Sequence, residues 1–458
     1  MSLFPDIAPA LTPDEALAAT ARCLYCYDAP CIKACPTEID VPSFIKKIAT
    51  GNTTGAARVI FDANVLGASC ARVCPVEVLC EGACVEKVLV KAPVEIARLQ
   101  RYATDHAMAR GARMFTRGAA TGKRVAVIGS GPAGLGAAAE LAKSGHEVTI
   151  FDDRPLPGGL DTYGMAEYKM AQATPLSEVA QLVEQLGVRI SQNTRVGRDV
   201  PLADLERDFD AIFVGVGLGL TKKLGIPGEE LPGVREALGF IEEIKLGTAA
   251  PLTGKVVATI GAGNTAIDCV TQAKNLGAAA SFIVYRQGER EMPAYDYEYK
   301  LAKSMGCTFH FGRQPLRIER HGQRLALWVQ RTQDVGGKVQ PVPGSEEALD
   351  CDLVLKAIGQ EKRTGFLSTL PIKLDEAGRV IVGANGQTSN PKYFAGGDCV
   401  NGGSEAVNAV AEGKKAARGI DAWIASSSSP GLTRGSMSGD LDGRVKPGHD
   451  GLDTGSGR

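Results

Sequence analysis

The stretch KRVAVIGSGPAGLGAAAELAKSGHEVTIFD, residues 123–152, decides the fold class of this chain. It starts with a short apolar segment typical of a buried strand, and the glycine-rich turn Gly129–Gly134 follows at once. We predict a helix over Ala133–Lys143 and a second strand over Glu147–Phe151, after which Asp152 supplies a carboxylate. Strand, glycine turn, helix, strand and acid in this order predict a dinucleotide-binding fold, because glycines let a pyrophosphate approach the helix N-terminus.

A second unit of the same order runs from Lys255 to Tyr285 and contains GAGNTA, residues 261–266. Alanine in place of the last glycine is an accepted variant of the motif. Arg286 stands where an acidic residue favours NAD and an arginine favours NADP. The arginines also fit a solvated surface pair, so we leave the nucleotide open as NAD(P)H. The candidate binding residues are Gly261, Gly263, Asn264, Thr265, Ala266, Arg286 and Arg290.

Two such units predict an α/β chain with parallel sheets covered by helices. The segment after Ala425 is dense in Gly, Ser and Asp and has few large apolar residues, so it cannot offset the entropy of ordering. We predict five segments: a helical, cysteine-rich domain over 1–115, a first dinucleotide-binding lobe over 116–245, a second lobe over 246–360, a return to the first lobe over 361–425, and a disordered tail over 426–458.

Eight of the twelve cysteines lie between Cys23 and Cys84, as CLYCYDAPCIKACP at 23–36 and CARVCPVEVLCEGAC at 70–84. Short spacings between cysteines, with proline after Cys35 and Cys74, favour two [4Fe–4S] clusters with ligands from both groups. Structural zinc is the alternative, but zinc sites usually show two CxxC pairs and only one occurs here.

Composition excludes several classes of protein. The 458 residues carry a formal net charge of −1, with 44% hydrophobic and 22% charged residues, so the chain shows no basic excess for nucleic acid or a membrane surface. No apolar run approaches the ~18 residues of a membrane span, and no secretory signal is visible. We therefore expect a cytoplasmic protein. Disulfide reduction beside a flavin needs a redox CxxC, and none occurs outside the N-terminal block.

From CLYCYDAPCIKACP, LGASCARVCPVEVLCEGAC and IARLQRYATD the chain resembles the dihydropyrimidine dehydrogenase family, in particular the flavin and iron–sulfur subunit of the bacterial NAD-dependent enzyme. The resemblance extends to about residue 424 and includes related glutamate synthase small subunits. It implies that Cys70 is not a ligand and that Gln100, which alone reads as an ordinary polar helix residue, binds iron. The implied cluster ligands are Cys23, Cys26, Cys31 and Cys84 for the first cluster, and Cys35, Cys74, Cys80 and Gln100 for the second.

The resemblance also implies that the first lobe binds FAD and that the NAD(P)H lobe interrupts it. Three segments carry this part of the resemblance: PGGL at 157–160, FDAIFVGVG at 209–217, and TSNPKYFAGGD at 388–398. We expect Asp398 to bind the flavin ribityl chain, and a helix after it to point its positive end toward the flavin ring. The candidate FAD residues are Gly129, Gly131, Pro132, Ala133, Gly134, Asp152, Gly159, Leu160, Gly217, Gly397, Asp398, Ala406 and Val407.

The function implied is that of an electron-input subunit. Hydride would pass from NAD(P)H to FAD, a step for which we nominate no acid–base residue, and single electrons would leave through the clusters. They would reach an FMN-containing partner subunit with a pyrimidine site, which interconverts uracil or thymine and the dihydropyrimidines. The alternatives are a glutamate synthase small subunit and the flavin subunit of a ferredoxin-linked transhydrogenase. The spacing of Cys74 and Cys80, together with Gln100, favours the first function.

Overall fold

The computed structural model describes residues 3–428 of the chain. Its first part is helical. Side-chain caps set several helix starts: the Thr12 hydroxyl accepts a hydrogen bond from the Glu15 amide, and the Asp40 and Asn52 side chains accept from amides three residues on. The helices are α1 (Pro13–Thr20), α2 (Pro30–Lys33), α3 (Val41–Ala49), α4 (Thr53–Ala63), α5 (Gly67–Val73), α6 (Val85–Leu89) and α7 (Ile96–Ala109).

The first dinucleotide-binding lobe follows. Its elements in chain order are β1 (Arg124–Ile128), α8 (Pro132–Lys143), β2 (Glu147–Phe151), α9 (Leu160–Tyr163), α10 (Ala173–Leu186), β3 (Arg189–Ser191), α11 (Leu202–Asp208) and β4 (Ala211–Val214). The predicted second strand agrees with β2, and the predicted helix agrees with α8 to within one residue.

The second lobe contains two sheets. Its elements are β5 (Val234–Glu236), α12 (Ala237–Lys245), β6 (Val256–Ile260), α13 (Asn264–Asn275), β7 (Ala280–Tyr285), α14 (Asp296–Ser304), β8 (Thr308–Phe311), β9 (Arg313–His321), β10 (Arg324–Val335), β11 (Lys338–Cys351) and β12 (Leu353–Lys356). The chain then returns to the first lobe through α15 (Thr364–Leu367), β13 (Tyr393–Ala395), α16 (Asp398–Asn401) and α17 (Ala406–Ser428).

Both main sheets have five parallel strands. The first has the order β13-β4-β1-β2-β3 and the second the order β5-β12-β6-β7-β8. Because β13 pairs with β4, the chain completes the first sheet only after it has built the second, as the interrupted lobe requires. Strand β5 pairs with β12 of the second sheet, although it precedes residue 246, where the sequence places the start of that lobe.

An antiparallel sheet of order β11-β10-β9 extends from the second lobe. The sequence analysis did not predict it. Its inner residues, among them Leu325, Leu327 and Val329, share a hydrophobic cluster with the second parallel sheet. The sheet therefore packs its apolar face on the lobe and turns its long hairpin toward solvent.

The helical domain and the first lobe share one core. Phe44, Phe61 and Phe115 are fully buried in a cluster that continues into α8, α10 and α17, and the rings of Phe61 and Phe115 pack edge to face at 5.8 Å. This shared core fixes the cysteine-rich domain against the first lobe.

Residues 429–458, most of the predicted tail, lie outside the described residues, whereas Ser426–Ser428 continue α17. Within residues 3–428, no helix combines the length and apolar character that crossing a bilayer demands.

Candidate functional site

The first glycine turn has the backbone that a dinucleotide loop needs. Gly129 has φ of +100°, and a Cβ atom there would lie 2.5 Å from the Gly215 carbonyl oxygen. At Gly131 the nearest atom to an added Cβ is 3.9 Å away. The turn leads into α8, whose first amides receive no side-chain cap. An uncapped helix N-terminus behind an open glycine suits an anionic phosphate.

The other predicted FAD segments gather around this turn. A Cβ at Gly159 would lie 2.7 Å from Gly131 Cα, and the Gly158 amide donates to the Ser130 carbonyl at 3.0 Å. A Cβ at Gly397 would lie 2.8 Å from Ala133 Cβ. Segments separated by more than two hundred residues in the sequence are therefore in contact, with Asp398 at the start of α16.

Asp152 anchors the turn. Its Oδ2 accepts from the Ser130 amide at 2.7 Å and the Ser130 hydroxyl at 2.6 Å, and its Oδ1 accepts from the Arg154 amide at 2.8 Å. A carboxylate offers about four acceptor positions, so the predicted contact with a ribose hydroxyl is compatible with these bonds.

Asp398 is half-buried beside the same turn. Its Oδ1 accepts from the Ser404 amide at 3.1 Å, and burial raises the pKa of its carboxyl. The expected helix after Asp398 begins at Ala406, one of the predicted FAD residues. Gly217, another of them, has φ of +63° and open space where a side chain would lie.

The second glycine turn repeats the first. Gly261 has φ of +122°, and an added Cβ would lie 2.2 Å from the Ala357 carbonyl oxygen. Gly263 has nothing within 4 Å of that position, and α13 also lacks a side-chain cap. The Asn264 side-chain oxygen accepts from the Tyr295 amide at 3.0 Å, which joins the turn to the segment before α14.

Arg286 and Arg290 follow β7 and are exposed. Neither guanidinium forms an ion pair with another residue in the part of the chain that the structure describes. Both are therefore free to meet a phosphate of NAD(P)H from solvent.

A cavity of about 710 Å³, part of which is open to solvent, lies between the two lobes. Leu160 and Ala406 line it from the first lobe, and Asn264 and Thr265 line it from the second glycine turn. Cys74, at the end of α5, lines it from the helical domain. One cavity thus meets both predicted dinucleotide sites and one predicted cluster ligand.

A buried ionic group on this cavity was missed by the sequence analysis. Lys169 Nζ lies 2.7 Å from Asp268 Oδ1 and 2.8 Å from Glu298 Oε1, with side-chain exposures of 9%, 7% and 3%. Burial would lower the pKa of Lys169, but the two carboxylates hold it above its ordinary value. Burial raises the pKa of Glu298 while the lysine opposes that shift. No local sequence signal marks these residues, because the contacts join positions about a hundred residues apart.

The first set of cysteines surrounds a smaller cavity with about 370 Å³ of empty space. Cys23, Cys26, Cys31 and Cys84 all line it, together with apolar residues such as Ile45 and Val94. Burial raises the pKa of the Cys31 thiol to about 11, and the neighbouring Cys23 and Cys84 add to the shift. Four thiols from two distant sequence segments therefore line one space, and four thiolates are the usual donor set of a [4Fe–4S] cluster.

The second set includes Cys74, which lines the cavity between the lobes. Cys35 and Cys80 are electrostatic neighbours of Cys74. The Gln100 side chain is buried on α7 and donates from Nε2 to the Gly67 carbonyl at 2.7 Å, so this bond leaves its oxygen Oε1 for another partner. Among the described residues, no three His, Cys, Asp or Glu side chains meet tightly enough to hold a single metal ion. A cubane cluster distributes its ligands over several irons and needs no such single meeting point.

Cys70 is fully buried beside this second set. The side-chain Nδ2 of Asn64 donates to Cys70 Sγ at 2.9 Å. A hydrogen bond between Cys70 and Cys74, together with burial, raises the pKa of the Cys74 thiol. The residue thus has partners of its own in the protein, as a cysteine that is not a ligand would.

Two further buried carboxyls were also missed. Neither oxygen of Asp161 in α9 has a hydrogen-bond partner within residues 3–428, and burial raises the pKa of this group to about 7. Glu178 in α10 accepts from the Ala68 amide at 2.6 Å and the Ser69 amide at 3.1 Å, and thereby fastens the N-terminus of α5 to the first lobe.

Comparison with known proteins gives two family matches. Residues 1–112 match the family described as dihydropyrimidine dehydrogenase domain II, 4Fe-4S cluster, and residues 123–413 match the pyridine nucleotide-disulphide oxidoreductase family. The two matches meet where the helical domain joins the first lobe.

Two curated relatives of nearly the same length illustrate the similarity. The glutamate synthase [NADPH] small chain of Halomonas elongata is 36% identical over 91% of this chain and 92% of its own. The NAD-dependent dihydropyrimidine dehydrogenase subunit PreT of Escherichia coli K12 is 34% identical over 92% of this chain and 97% of its own. Among solved structures, Mycobacterium tuberculosis FprA in complex with NADPH has a TM-score of 0.55 at 20% identity, over 67% of this chain and 85% of its own, which supports the two-lobe fold alone.

Proposed function

The chain belongs to the pyridine nucleotide-disulphide oxidoreductase family and carries an N-terminal domain of the dihydropyrimidine dehydrogenase [4Fe–4S] type, and from this premise we propose which residues serve its cofactors and where its electrons go. The premise makes it an NAD(P)H-dependent oxidoreductase that uses FAD and [4Fe–4S] clusters. The assignment of individual residues and the identity of the partner are our proposals.

The first glycine turn fits FAD. The open space over Gly131 and the uncapped start of α8 suit the pyrophosphate, with Asp152 near the ribose. The turn at Gly159 and the carboxyl of Asp398 lie beside this glycine turn, so a cofactor as long as FAD could contact all three segments.

The second turn fits the pyridine nucleotide for the same reasons. Gly263 leaves space for phosphates at the uncapped N-terminus of α13, and Asn264 and Thr265 face the cavity between the lobes. Arg286 and Arg290 offer cationic contacts to the adenosine half.

The thiols fit two clusters. Cys23, Cys26, Cys31 and Cys84 would hold the first, around their shared cavity. Cys74 joins the second set to the cavity between the lobes. The cluster ligands of that second set would be Cys35, Cys74, Cys80 and Gln100.

When bound, the flavin exchanges a hydride with the nicotinamide and single electrons with the clusters. The protein's own contribution is position and environment. The cavity walls bring the second glycine turn, through Asn264 and Thr265, to the same space as Leu160 and Ala406 of the first lobe, while the interlobe contacts of Lys169 hold the two lobes together beside it. No described side chain is needed to move a proton for hydride transfer.

The observation that carries the proposal is the presence of Cys74 in the wall of the cavity that Asn264 and Thr265 line from the second glycine turn and Leu160 and Ala406 line from the first lobe. A cluster ligand in this place gives electrons a short route from the dinucleotide sites into the helical domain. The first set of cysteines then lies further out, among exposed apolar side chains such as Leu24 and Tyr27. We infer that electrons enter between the lobes and leave through the helical domain.

We propose that the acceptor is an FMN-containing partner subunit that interconverts uracil or thymine and the dihydropyrimidines. The match of residues 1–112 to the dihydropyrimidine dehydrogenase domain and the relative PreT support this choice. A second candidate, the small subunit of a glutamate synthase, is favoured by the 36% identity of the Halomonas relative.

The test is anaerobic purification of the tagged chain from its native host, followed by assay of the intact complex. An FMN-bearing partner and NAD(P)H oxidation that depends on uracil or thymine would support the proposal. Oxidation that instead depends on glutamine and 2-oxoglutarate would establish the second candidate. Cys31→Ser should abolish the coupled reaction but keep NAD(P)H-dependent reduction of ferricyanide, whereas Cys307→Ser, a buried cysteine of the second lobe, should change neither.

A further inference from the structure

Glu298 has one oxygen with partners and one without. Its Oε1 accepts from Lys169 Nζ at 2.8 Å and from the Tyr297 hydroxyl at 3.0 Å. Its Oε2 is buried and has no hydrogen-bond partner within the described residues, although the residue is only 2% exposed. A buried, unpartnered carboxylate oxygen is costly, so it calls for a ligand that supplies the missing donor.

Among the described residues, no neighbouring donor reaches that oxygen. Lys169 donates to Asp268 at 2.7 Å and to the other oxygen of Glu298, and the Tyr168 hydroxyl donates to Asp268 at 2.7 Å. The Tyr295 hydroxyl donates to Glu405 at 2.6 Å across the cavity. Of the side-chain N and O atoms on the described cavity wall that are buried from solvent, Glu298 Oε2 is the one without a hydrogen-bond partner.

The position of Glu298 narrows the choice of ligand. The residue lines the cavity that Asn264 and Thr265 reach from the second glycine turn and that Leu160 and Ala406 reach from the first lobe. If the second turn holds the phosphates of a pyridine nucleotide, the reactive ring of that nucleotide is the part that enters this cavity. The ring carries one N–H donor group, the amide nitrogen of its carboxamide.

We propose that Glu298 accepts a hydrogen bond from the carboxamide N–H of the nicotinamide ring through Oε2 and thereby fixes the orientation of the ring in the cavity. This inference rests on the proposed function, because it requires the pyridine nucleotide to occupy the second turn. Lys169 and Tyr297 both donate to Oε1, which limits the rotation of the carboxylate and leaves Oε2 for the carboxamide.

The test compares a pyridine nucleotide with its 3-acetylpyridine analogue, in which a methyl group replaces the amide nitrogen and the carbonyl remains. Binding of oxidised NAD or NADP and of the matching analogue to the oxidised holoenzyme is measured by isothermal titration calorimetry. A hydrogen bond to a charged group predicts that wild-type protein binds the carboxamide form about tenfold or more tightly than the acetyl form.

Glu298→Gln tests the residue without removing its volume. Lys169 and Tyr297 donate to the side-chain oxygen, so the amide nitrogen of Gln must occupy the place of Oε2, where it cannot accept. The tenfold preference should then fall to about twofold or less. Asp296→Asn is the matched control, because Asp296 lies on the same helix with a side chain 89% exposed, and this variant should keep the full preference.

Two results would overturn the inference: no preference for the carboxamide in wild-type protein, or the same preference in Glu298→Gln as in wild type. Failure of the holoenzyme to bind either form of the nucleotide would instead overturn the proposed function. The two failures are therefore distinguishable in one set of titrations.

Discussion

Lys169 links the two lobes through two buried ion pairs, and replacing it should lower the free energy of unfolding. Lys169 belongs to the first lobe, whereas Asp268 and Glu298 lie on α13 and α14 of the second. Each ion pair, at 2.7 or 2.8 Å, corresponds to about 6 kcal/mol of attraction at an effective dielectric constant near 20, before the cost of desolvating the charges. That cost cancels much of the attraction, so the intact group adds little net stability.

Replacing Lys169 alone should lower the free energy of unfolding by more than the intact ionic group contributes to it. Lys169→Met leaves two buried carboxylates facing each other without their cation, and breaking a buried pair in this way costs about 3–5 kcal/mol. Glu298→Gln in the same chain removes one of the two uncompensated charges. We expect the double variant to recover about 1–2 kcal/mol of that loss.

The assay is urea unfolding of the holoprotein, followed by circular dichroism and by flavin fluorescence. Lys300→Met is the matched control, since Lys300 on α14 is 76% exposed and pairs with Asp296 at 3.4 Å, so its loss should change stability by less than about 0.5 kcal/mol. A loss for Lys169→Met as small as that of the control would refute the reasoning.

Three other changes probe the cofactor sites and a buried acid. Gln100→Ala should lower the iron content from about eight to about four per chain, because only one of two cubane clusters loses a ligand. Asp398→Ala should weaken FAD retention by about tenfold, as loss of a hydrogen bond to a charged group predicts, measured by flavin release in equilibrium dialysis. Asp161→Asn should stabilise the protein, with a gain that grows from pH 4 to pH 7 and then levels off at about 4 kcal/mol, because the pKa of the folded acid is about 7 while that of the unfolded acid is 3.8. The gain is read from urea unfolding across this pH range.

Each of these predictions can fail on its own. If Gln100→Ala keeps its full iron content, Gln100 is not a cluster ligand but an ordinary polar residue of a helix. Asp375→Ala, in the same segment, is the control. If Asp398→Ala retains FAD as well as this control does, Asp398 does not bind the ribityl chain. A stability gain in Asp161→Asn that does not vary with pH would mean that the acid is ionised in the folded protein at all these pH values.

The sequence predicts the order of strands and helices around each glycine turn well, because the residues that indicate it are close together in the chain. The period of apolar residues and the first glycine turn mark α8 and β2 within one residue, and the second glycine turn predicts the order of β6, α13 and β7. The cysteine spacings likewise identify the cluster domain, since short loops supply most of the ligands.

What the sequence does not reveal depends on long-range packing. The antiparallel sheet β9–β11 has no glycine fingerprint, and its alternating residues resemble any exposed strand. Lys169 reads as a surface lysine, and only folding brings it between Asp268 and Glu298. Strand β5 joins the second sheet because β12 presents a free edge to it, which no residue near Val234 indicates.

The central claim is that electrons enter between the lobes and leave through the cysteine domain. Its most direct test is anaerobic stopped-flow mixing of NAD(P)H with the native complex of this chain and its partner, in wild type and in Cys31→Ser. The account predicts that NAD(P)H reduces the flavin of this chain at the same rate in both proteins, and that the acceptor in the partner is reduced only in wild type. Reduction of that acceptor in Cys31→Ser at the wild-type rate, or a flavin that stays oxidised with NAD(P)H in wild type, would contradict it.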